Sequence, residues 1–413
     1  MSAPVAEKAP DDSSKLKTFL SILRKGQVRG RHRYCFGSLL IAGATTGTPT
    51  EFGGVQEYWN YLDRPETFAS IGKSDDELGR MLEVLRFWFT KDLKYIKGKP
   101  CKPYNSTLGE FFRCSWEVPY TVPEDSNLPG VDASVSTVGD ADEKVKICYL
   151  TEQTSHHPPV SAFYIDCPQR GGFGAIRVSP GQHNLGIFVN IEKRDNEEYQ
   201  LTHPDAHLGG LLRGALAITV SDACYITCPK TGMKAILQYL EEGWIGRSQN
   251  KVEGTIFRYN PDQDTTTRLK DVPEGDVIAR ISGSWHGKIY YTLAGTKEPR
   301  LLIDITPLHP VAKDLPPSED QLSNESLKFW SEVTTAIVEK QFNEATKLKQ
   351  DIEERQRQRA TERKENKMEW KPRFFTGALT PLGKPELTEE GQKALQGIRS
   401  ESFALEESIE QGA

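Results

Sequence analysis

From about residue 110 to residue 310 the chain repeats one texture. Short apolar or alternating runs recur at Val145–Leu150, Val160–Ile165, Ile187–Ile191, Leu211–Ile218, Lys234–Tyr239, Val252–Arg258, Val277–Ile281 and Lys288–Leu293, separated by Gly, Pro, Asp and Asn. Runs of this length, punctuated by turn residues, read as strands of a large antiparallel sheet. Too few helical segments interrupt them for a βαβ architecture. So many strands without a domain boundary would expose edges, and closure toward a barrel is the economical way to remove them. A large barrel encloses a cavity, and a cavity invites a ligand. The acidic stretch Pro123–Asp142 reads as a mobile loop within this region.

Helical patterns flank the strands. Residues 1–13 are polar and are expected to be disordered. Leu16, Phe19, Leu20 and Leu23 then fall at i, i+3, i+4 and i+7, predicting a short amphipathic helix from Ser14 to Leu23. It is followed by a basic stretch (Lys25, Arg29, Arg31, Arg33) and a Gly/Thr-rich loop from Gly43 to Gly54. Such a helix packs on the protein body, lies on a membrane or closes over a ligand. Ser74 with Glu77 forms a capping-box pattern that predicts a helix over about 75–91, its stripe of Leu78, Met81, Leu82, Leu85, Trp88 and Phe89 serving as core. After Pro317, Trp330, Val333, Ile337 and Leu348 supply an apolar stripe that gives way to an almost wholly charged helix from Lys349 to Lys367. From about Thr380 the chain is polar and acidic and is expected to be loosely ordered.

Composition narrows the function classes. With 413 residues, 37% hydrophobic and 27% charged, the chain reads as a soluble globular protein, and its net charge of −6 argues against a general nucleic-acid binder. The longest apolar run, around Phe36–Ala44, falls short of the roughly 20 residues a spanning helix needs. The N-terminus has no apolar core of a secretory signal. Seven scattered cysteines (Cys35, Cys101, Cys114, Cys148, Cys167, Cys224, Cys228) read as reduced thiols of a cytosolic protein. No Cys/His set completes a metal site around Cys224 and Cys228, and His203 and His207 lack an HExxH context, so neither a metal nor a cofactor is expected. A hydrolase is disfavoured as well. Ser155 and His156 are adjacent on an extended chain and point to opposite sides. Ser282-Gly283-Ser284-Trp285-His286-Gly287 lacks the first glycine of a nucleophile elbow. No GxxxxGK[ST] loop is present.

One segment carries specific chemistry. Residues 152–162 read Glu-Gln-Thr-Ser-His-His-Pro-Pro-Val-Ser-Ala. Pro158 and Pro159 donate no backbone hydrogen bond and so end or edge a strand. The residue before each proline is pushed toward extended geometry, which restrains His157. A stiff segment presenting two imidazoles, with Ser155 and Glu152 nearby, suits an anion such as a phosphate; on these residues alone it is equally a polar loop with two solvated histidines.

Further motifs give that segment a context. Lys102-Pro103-Tyr104-Asn105-Ser106-Thr107-Leu108-Gly109-Glu110, Ile226-Thr227-Cys228-Pro229 with Thr231-Gly232, Val252-Glu253-Gly254, Glu353-Glu354-Arg355-Gln356-Arg357 and Trp370-Lys371-Pro372-Arg373-Phe374-Phe375 occur in order. Together with Glu152–Ala162 they resemble the landmarks of the oxysterol-binding-protein-related lipid transfer proteins over roughly residues 75–376, in a short form without a pleckstrin-homology segment. The resemblance implies an α+β, mainly β fold: a large incomplete antiparallel β-barrel around a lipid tunnel, with an N-terminal lid and C-terminal helices. The lipid-binding domain would span 14–376, divided into a lid over 14–54, helix and barrel over 75–310 and helices over 318–376, before a polar acidic tail over 377–413.

The resemblance also implies a function: binding phosphatidylinositol 4-phosphate and exchanging it between membranes for a second lipid, a sterol in preference to phosphatidylserine. Carried over by motif, the headgroup site would be Lys102, Asn105, His156, His157, Lys349, Glu353 and Arg357. Leu16, Phe19, Leu20, Leu39 and Leu40 are candidates for the lid. Such a protein is expected in the cytoplasm, in transient contact with anionic membrane surfaces at endoplasmic reticulum and Golgi or plasma membrane contact sites. A lipid sensor or adaptor needs the same pocket and is the alternative. Glu401, Phe403, Glu406 and Glu407 weakly resemble motifs read by endoplasmic-reticulum adaptors.

The physics of the carried-over residues is consistent with that role. A phosphate monoester carries close to two negative charges, so its site needs cations and N–H donors converging from several elements. Lys349, Glu353 and Arg357, spaced by four, share nearly one helix face, where Glu353 can orient both cations. In so charged a helix the same triplet also arises as a solvated face.

Overall fold

The structure, a computed structural model, describes residues 61–97, 104–119, 128–130, 144–156, 159–168, 173–178, 186–209, 217–240, 250–376 and 385–407. Lys102, His157 and the lid candidates Leu16, Phe19, Leu20, Leu39 and Leu40 lie outside the described residues.

Among the described residues thirteen strands form one antiparallel sheet: β1 (Phe111–Pro119), β2 (Lys144–His156), β3 (Pro159–Cys167), β4 (Phe173–Val178), β5 (Ile187–Ile191), β6 (Glu197–Leu201), β7 (Asp205–Gly209), β8 (Ala217–Cys228), β9 (Met233–Tyr239), β10 (Lys251–Arg258), β11 (Val277–Ser284), β12 (Lys288–Leu293) and β13 (Arg300–Asp304). Each strand pairs with the next along the chain, except that β6 pairs with β8 while β7 pairs with β8 alone. Among the described residues β1 and β13 end the path without joining, so the barrel is incomplete, as the resemblance implies. The open edge of β1 is covered by the chain after the barrel: Ser115 and Asp314 exchange backbone hydrogen bonds of 2.9 and 2.8 Å, and Phe111 donates to Asn324 at 3.3 Å. Covering an edge in this way blocks pairing with other chains.

Short helices α1 (Pro65–Ala69) and α3 (Leu93–Lys97) flank α2 (Glu77–Thr90). Asp76, not Ser74, caps α2, its carboxylate accepting from the Gly79 amide at 3.0 Å. Every residue of α2 from Gly79 to Thr90 is buried, so the helix has no solvent face and must be enclosed. Its polar side chains reach strands far apart in the sheet. Arg80 pairs with Glu197 of β6 at 2.7 and 2.8 Å, the Trp88 indole donates to the Tyr239 hydroxyl of β9 at 3.0 Å, and Arg86 donates to the Leu302 carbonyl of β13 at 3.0 Å. Only a sheet curled around the helix brings β6, β9 and β13 to it.

The two faces of the first strands serve different layers. Phe112, Cys114, Trp116, Ile147, Tyr149, Phe163 and Ile165 join the main core around α2. Phe111, Cys148, Leu150 and Ala162 point the other way, into a second core with Phe374, Phe375, Ala394, Leu395 and Ile398. Beyond the barrel lie α4 (Ser326–Phe329), α5 (Ser331–Val338), α6 (Phe342–Glu365) and α7 (Glu389–Arg399).

The C-terminal stretch expected to be loosely ordered is docked over 385–407. Thr388 caps α7 by accepting from the Gly391 amide at 3.0 Å, and Ala394, Leu395 and Ile398 are buried on the outer face of the sheet. A Cβ on Gly391 would lie 2.2 Å from the Phe374 carbonyl oxygen, so only glycine lets the helix approach this closely. Arg113, 1% exposed, anchors the chain beyond α7: it donates to the Phe403 carbonyl at 2.7 Å and to the Asp320 carbonyl at 2.9 Å while pairing with Glu325 at 3.1 Å. Lys146 pairs with Glu401 at 2.6 Å, Arg373 donates to the Glu406 carbonyl at 2.7 Å, and the Ser323 amide donates to Glu407 at 3.1 Å. The negative charges that make this segment look solvated help to fasten it.

Candidate functional site

The histidine segment lies where β2 and β3 meet. His156 closes β2 opposite Pro159, the first residue of β3. Pro159 suits that place because a strand's first residue can lack a ladder donor. The register steps from Gln153 opposite Ser161 to Ser155 opposite Val160, so Thr154 is an extra residue, a β-bulge. The consequence follows from the period of two. Without the bulge, His156 would share the outer face with Leu150 and Glu152. One inserted residue reverses the alternation, and His156, paired with Pro159, comes to the inner face shared by Gln153, Ser161 and Tyr149.

The same alternation corrects the grouping of Glu152 and Ser155 with the histidines. Glu152 is fully buried on the outer face, where its carboxylate accepts the backbone N–H groups of Arg373 at 2.7 Å and Phe374 at 2.8 Å. Burial pushes its carboxyl up to about 7, against the lowering effect of the Arg373, Phe374 and Phe375 amides. Ser155, opposite Val160, lies on that outer side of the register too. Glu152 holds the Arg373–Phe374 backbone in place and faces away from His156.

The segment 104–110 runs beside the hairpin. The Gly109 amide donates to the Gln153 carbonyl at 2.9 Å, and the Gln153 amide donates to the Glu110 carbonyl at 2.8 Å. Glu110 is fully buried and accepts from the Thr107 amide at 2.9 Å, the Ser326 hydroxyl at 2.7 Å and the Trp330 indole at 3.1 Å. Burial nevertheless pushes its carboxyl above the ordinary range. Through these bonds Glu110 locks the segment to α4 and α5 and leaves Asn105 exposed.

The third part is α6. Tyr104 stacks on Trp330 with ring centres 4.6 Å apart, and its hydroxyl lies 3.0 Å from that of Thr334. Val333, Ile352 and Leu348 complete this small core. Ile352 and Leu348 therefore fix α6 against the residue next to Asn105, while Lys349 and Glu353, each one position further along the helix, stay about 40% exposed. Glu353 lies 3.5 Å from Lys349 and 3.6 Å from Arg357, and Arg357 also meets Glu354 at 2.9 Å. Exposed pairs of this kind contribute only a few tenths of a kcal/mol each, about 0.3–0.5, so they hold the cations in place without withdrawing them from a ligand. Asn105 and His156 thus lie on two segments bonded to one another through Gln153, and Lys349, Glu353 and Arg357 lie on α6, which packs on Tyr104.

A second polar feature, not expected from the sequence, lies inside the barrel. A cavity of about 60 Å³ is bordered by Trp88, Lys91, Asp92, His203, Tyr239 and Trp285. Lys91 is ion-paired with Asp92, and its ammonium lies 4.6 Å from the Tyr61 ring centre and 4.5 Å from that of Trp88. Burial, with Lys91 beside it, pushes His203 down to about 3, so its ring is neutral. Among the described residues no group of His, Cys, Asp and Glu could hold a metal ion, and Cys224 and Cys228 are buried thiols of the core. Among them also no helix is long and apolar enough to cross a membrane.

The profile of the family described as oxysterol-binding protein matches residues 52–336. The oxysterol-binding protein-like protein 1 of Schizosaccharomyces pombe is 38% identical across 95% of this chain and 92% of its own length. The human oxysterol-binding protein-related protein 9 is 30% identical across 78% of this chain and 42% of its own length. Among solved structures, the Osh1 ORD domain in complex with cholesterol superposes with a TM-score of 0.58 at 16% identity, covering 97% of this chain and 100% of that one. The Osh3 ORD in complex with PI(4)P from Saccharomyces cerevisiae gives 0.57 at 16%, covering 97% and 96%. At those identities the structural likeness speaks for the fold.

Proposed function

Because this chain belongs to the oxysterol-binding protein family, we propose that it binds phosphatidylinositol 4-phosphate at the mouth of the barrel and exchanges it, unaltered, for a second lipid between membranes. What supports the reading is a chain of contacts: Gln153, three residues before His156, is bonded to Gly109 and Glu110 of the Asn105 segment, and Tyr104 of that segment packs with Ile352 of α6. With Lys102 and His157 added by their place in the motifs, three cations (Lys102, Lys349, Arg357) stand against the two carboxylates that pair with them, Glu353 and Glu354, an excess of positive charge that favours a phosphomonoester of about −2. Imidazole and amide donors from His156, His157 and Asn105 add direction to that attraction.

The second lipid is a sterol in preference to phosphatidylserine, consistent with the sterol-bound relative of like fold. Leu16, Phe19, Leu20, Leu39 and Leu40 cover the tunnel as a lid. The protein works in the cytoplasm as a peripheral visitor to anionic membranes at contact sites, and exchange runs down a phosphatidylinositol 4-phosphate difference between them. Recruitment by an endoplasmic-reticulum adaptor through Glu401–Glu407 would require Phe403 to leave the second core and Glu401 to leave Lys146.

Transfer between two vesicle populations, one holding the phosphoinositide and the other sterol or phosphatidylserine, tests the reading. The paired change His156→Ala and His157→Ala should abolish phosphoinositide extraction and leave most second-lipid binding. Normal extraction by that variant would refute the site.

A further inference from the structure

Gln153 is 4% exposed and sits one bulge before His156, on the same inner face. Its amide lies 2.6 Å from the Ser155 carbonyl oxygen and 2.6 Å from the Ser161 hydroxyl. A carbonyl can only accept, so the group facing Ser155 is the NH2, and the amide oxygen takes the Ser161 hydroxyl. One side chain therefore spans the bulge on β2 and crosses to β3. The Thr154 hydroxyl adds a bond to the Val160 carbonyl at 3.3 Å. The main chain of the same residue holds the 104–110 segment through Gly109 and Glu110. Close substitutes fail at one end or both: asparagine is one methylene too short, an apolar residue leaves both partners unanswered, and a carboxylate sets a negative oxygen against the Ser155 carbonyl.

We propose that Gln153 is the positioning residue of the headgroup site. Its amide fixes the bulge at Thr154 and so turns His156 to the inner face, while its backbone ties that hairpin to the segment presenting Asn105. The proposal rests on the headgroup reading of His156.

The test uses the full chain, vesicles of phosphatidylcholine with and without phosphatidylinositol 4-phosphate, a separate sterol-binding assay and thermal unfolding. Gln153→Met should weaken phosphoinositide extraction about tenfold, the equivalent of roughly one net hydrogen bond, with sterol affinity changed less than about twofold. Gln153→Glu should show the same loss near pH 7.5, and its deficit relative to wild type should narrow toward about pH 5.5, because burial at this position raises a carboxyl, as it does at neighbouring Glu152, and the protonated acid again offers a donor to Ser155 and an acceptor to Ser161. The surrounding titratable groups, Glu110, Glu152 and His156, are common to both proteins, so the ratio of variant to wild type isolates residue 153. Ser161→Ala, the gentler change, should cost about twofold to threefold in phosphoinositide affinity alone. Equal weakening of both lipids, or a Gln153→Glu deficit indifferent to pH, would reduce Gln153 to an ordinary structural residue. Wild-type extraction by the Gln153 variants beside a dead His156→Ala protein would sink this inference while sparing the site. If His156→Ala itself extracts normally, the headgroup reading fails and this inference with it.

Discussion

Replacing Glu152 by glutamine should change stability by an amount that depends on pH. The carboxyl is fully buried, and its folded value of about 7 lies above the ordinary 4.5. Between those values the folded chain keeps a proton that the unfolded chain releases. The group therefore favours folding below its unfolded value, and that contribution is lost as pH rises through the folded one. Each pH unit crossed between the two values is equivalent to about 1.36 kcal/mol, so about 2 kcal/mol should disappear between roughly pH 5 and pH 7. Glutamine does not titrate, so urea unfolding of both proteins across that range isolates the effect as a difference. Asp63, Glu110 and Glu325, whose carboxyls burial also raises, titrate alike in both and cancel. Wild type should lose stability relative to Glu152→Gln as pH rises. A difference flat to within about 0.5 kcal/mol would refute the burial argument, since surface changes alone stay within that range. Because Glu152 faces away from His156, the variant should still extract phosphoinositide to within about threefold of wild type, less than one net hydrogen bond.

The outer layer and α6 each supply a further outcome. Ile398→Ala removes a fully buried side chain of the second core and should cost about 2–5 kcal/mol in urea unfolding, with residues 385–407 becoming the first site of proteolysis; an unchanged midpoint would mean that α7 is not docked. Arg357→Ala should move stability by less than about 0.5 kcal/mol, because its ion pairs are exposed, yet weaken phosphoinositide extraction and flatten its dependence on salt; extraction equal to wild type would remove Arg357 from the site.

What the sequence made legible depended on how each residue met its surroundings. Ile187–Ile191 and Lys288–Leu293 read as strands and form β5 and β12 with those bounds, because their burial follows simple local patterns. β1 escaped notice: it is buried on both faces from Phe111 to Trp116, with Arg113 inside, so no period of two appears. β6 reads Glu-Glu-Tyr-Gln-Leu, and its burial makes sense only once Arg80 arrives from α2 to pair with Glu197. Of the run expected at Leu211–Ile218, residues 211–216 lie outside the described residues, and Ala217 and Ile218 open β8. Within the site, the Lys349–Glu353–Arg357 face follows from helical spacing alone. The bulge at Thr154 does not, because an extra residue is visible only against the register of a partner strand. The acids around α7 concealed a stripe of Ala394, Leu395 and Ile398 that the sheet supplies a surface for.

The bulge also explains how one strand can serve two masters. Up to Glu152, β2 sends Ile147 and Tyr149 inward and Cys148 and Leu150 outward, so both cores depend on its register, and a slip of one residue would empty both. The headgroup site proposed at the mouth needs His156 inward, whereas strict alternation would turn it outward, toward the layer held by Glu152 and Arg373. Moving the whole strand is therefore closed off, and a local insertion at Thr154 is the remaining way to redirect the tip without disturbing the packing below it. The cost of such an insertion is a weakened ladder beside the bulge, which the Gln153 amide offsets from the inner side. Site and scaffold thus make opposite demands on β2, and they are reconciled within Gln153, Thr154 and Ser155.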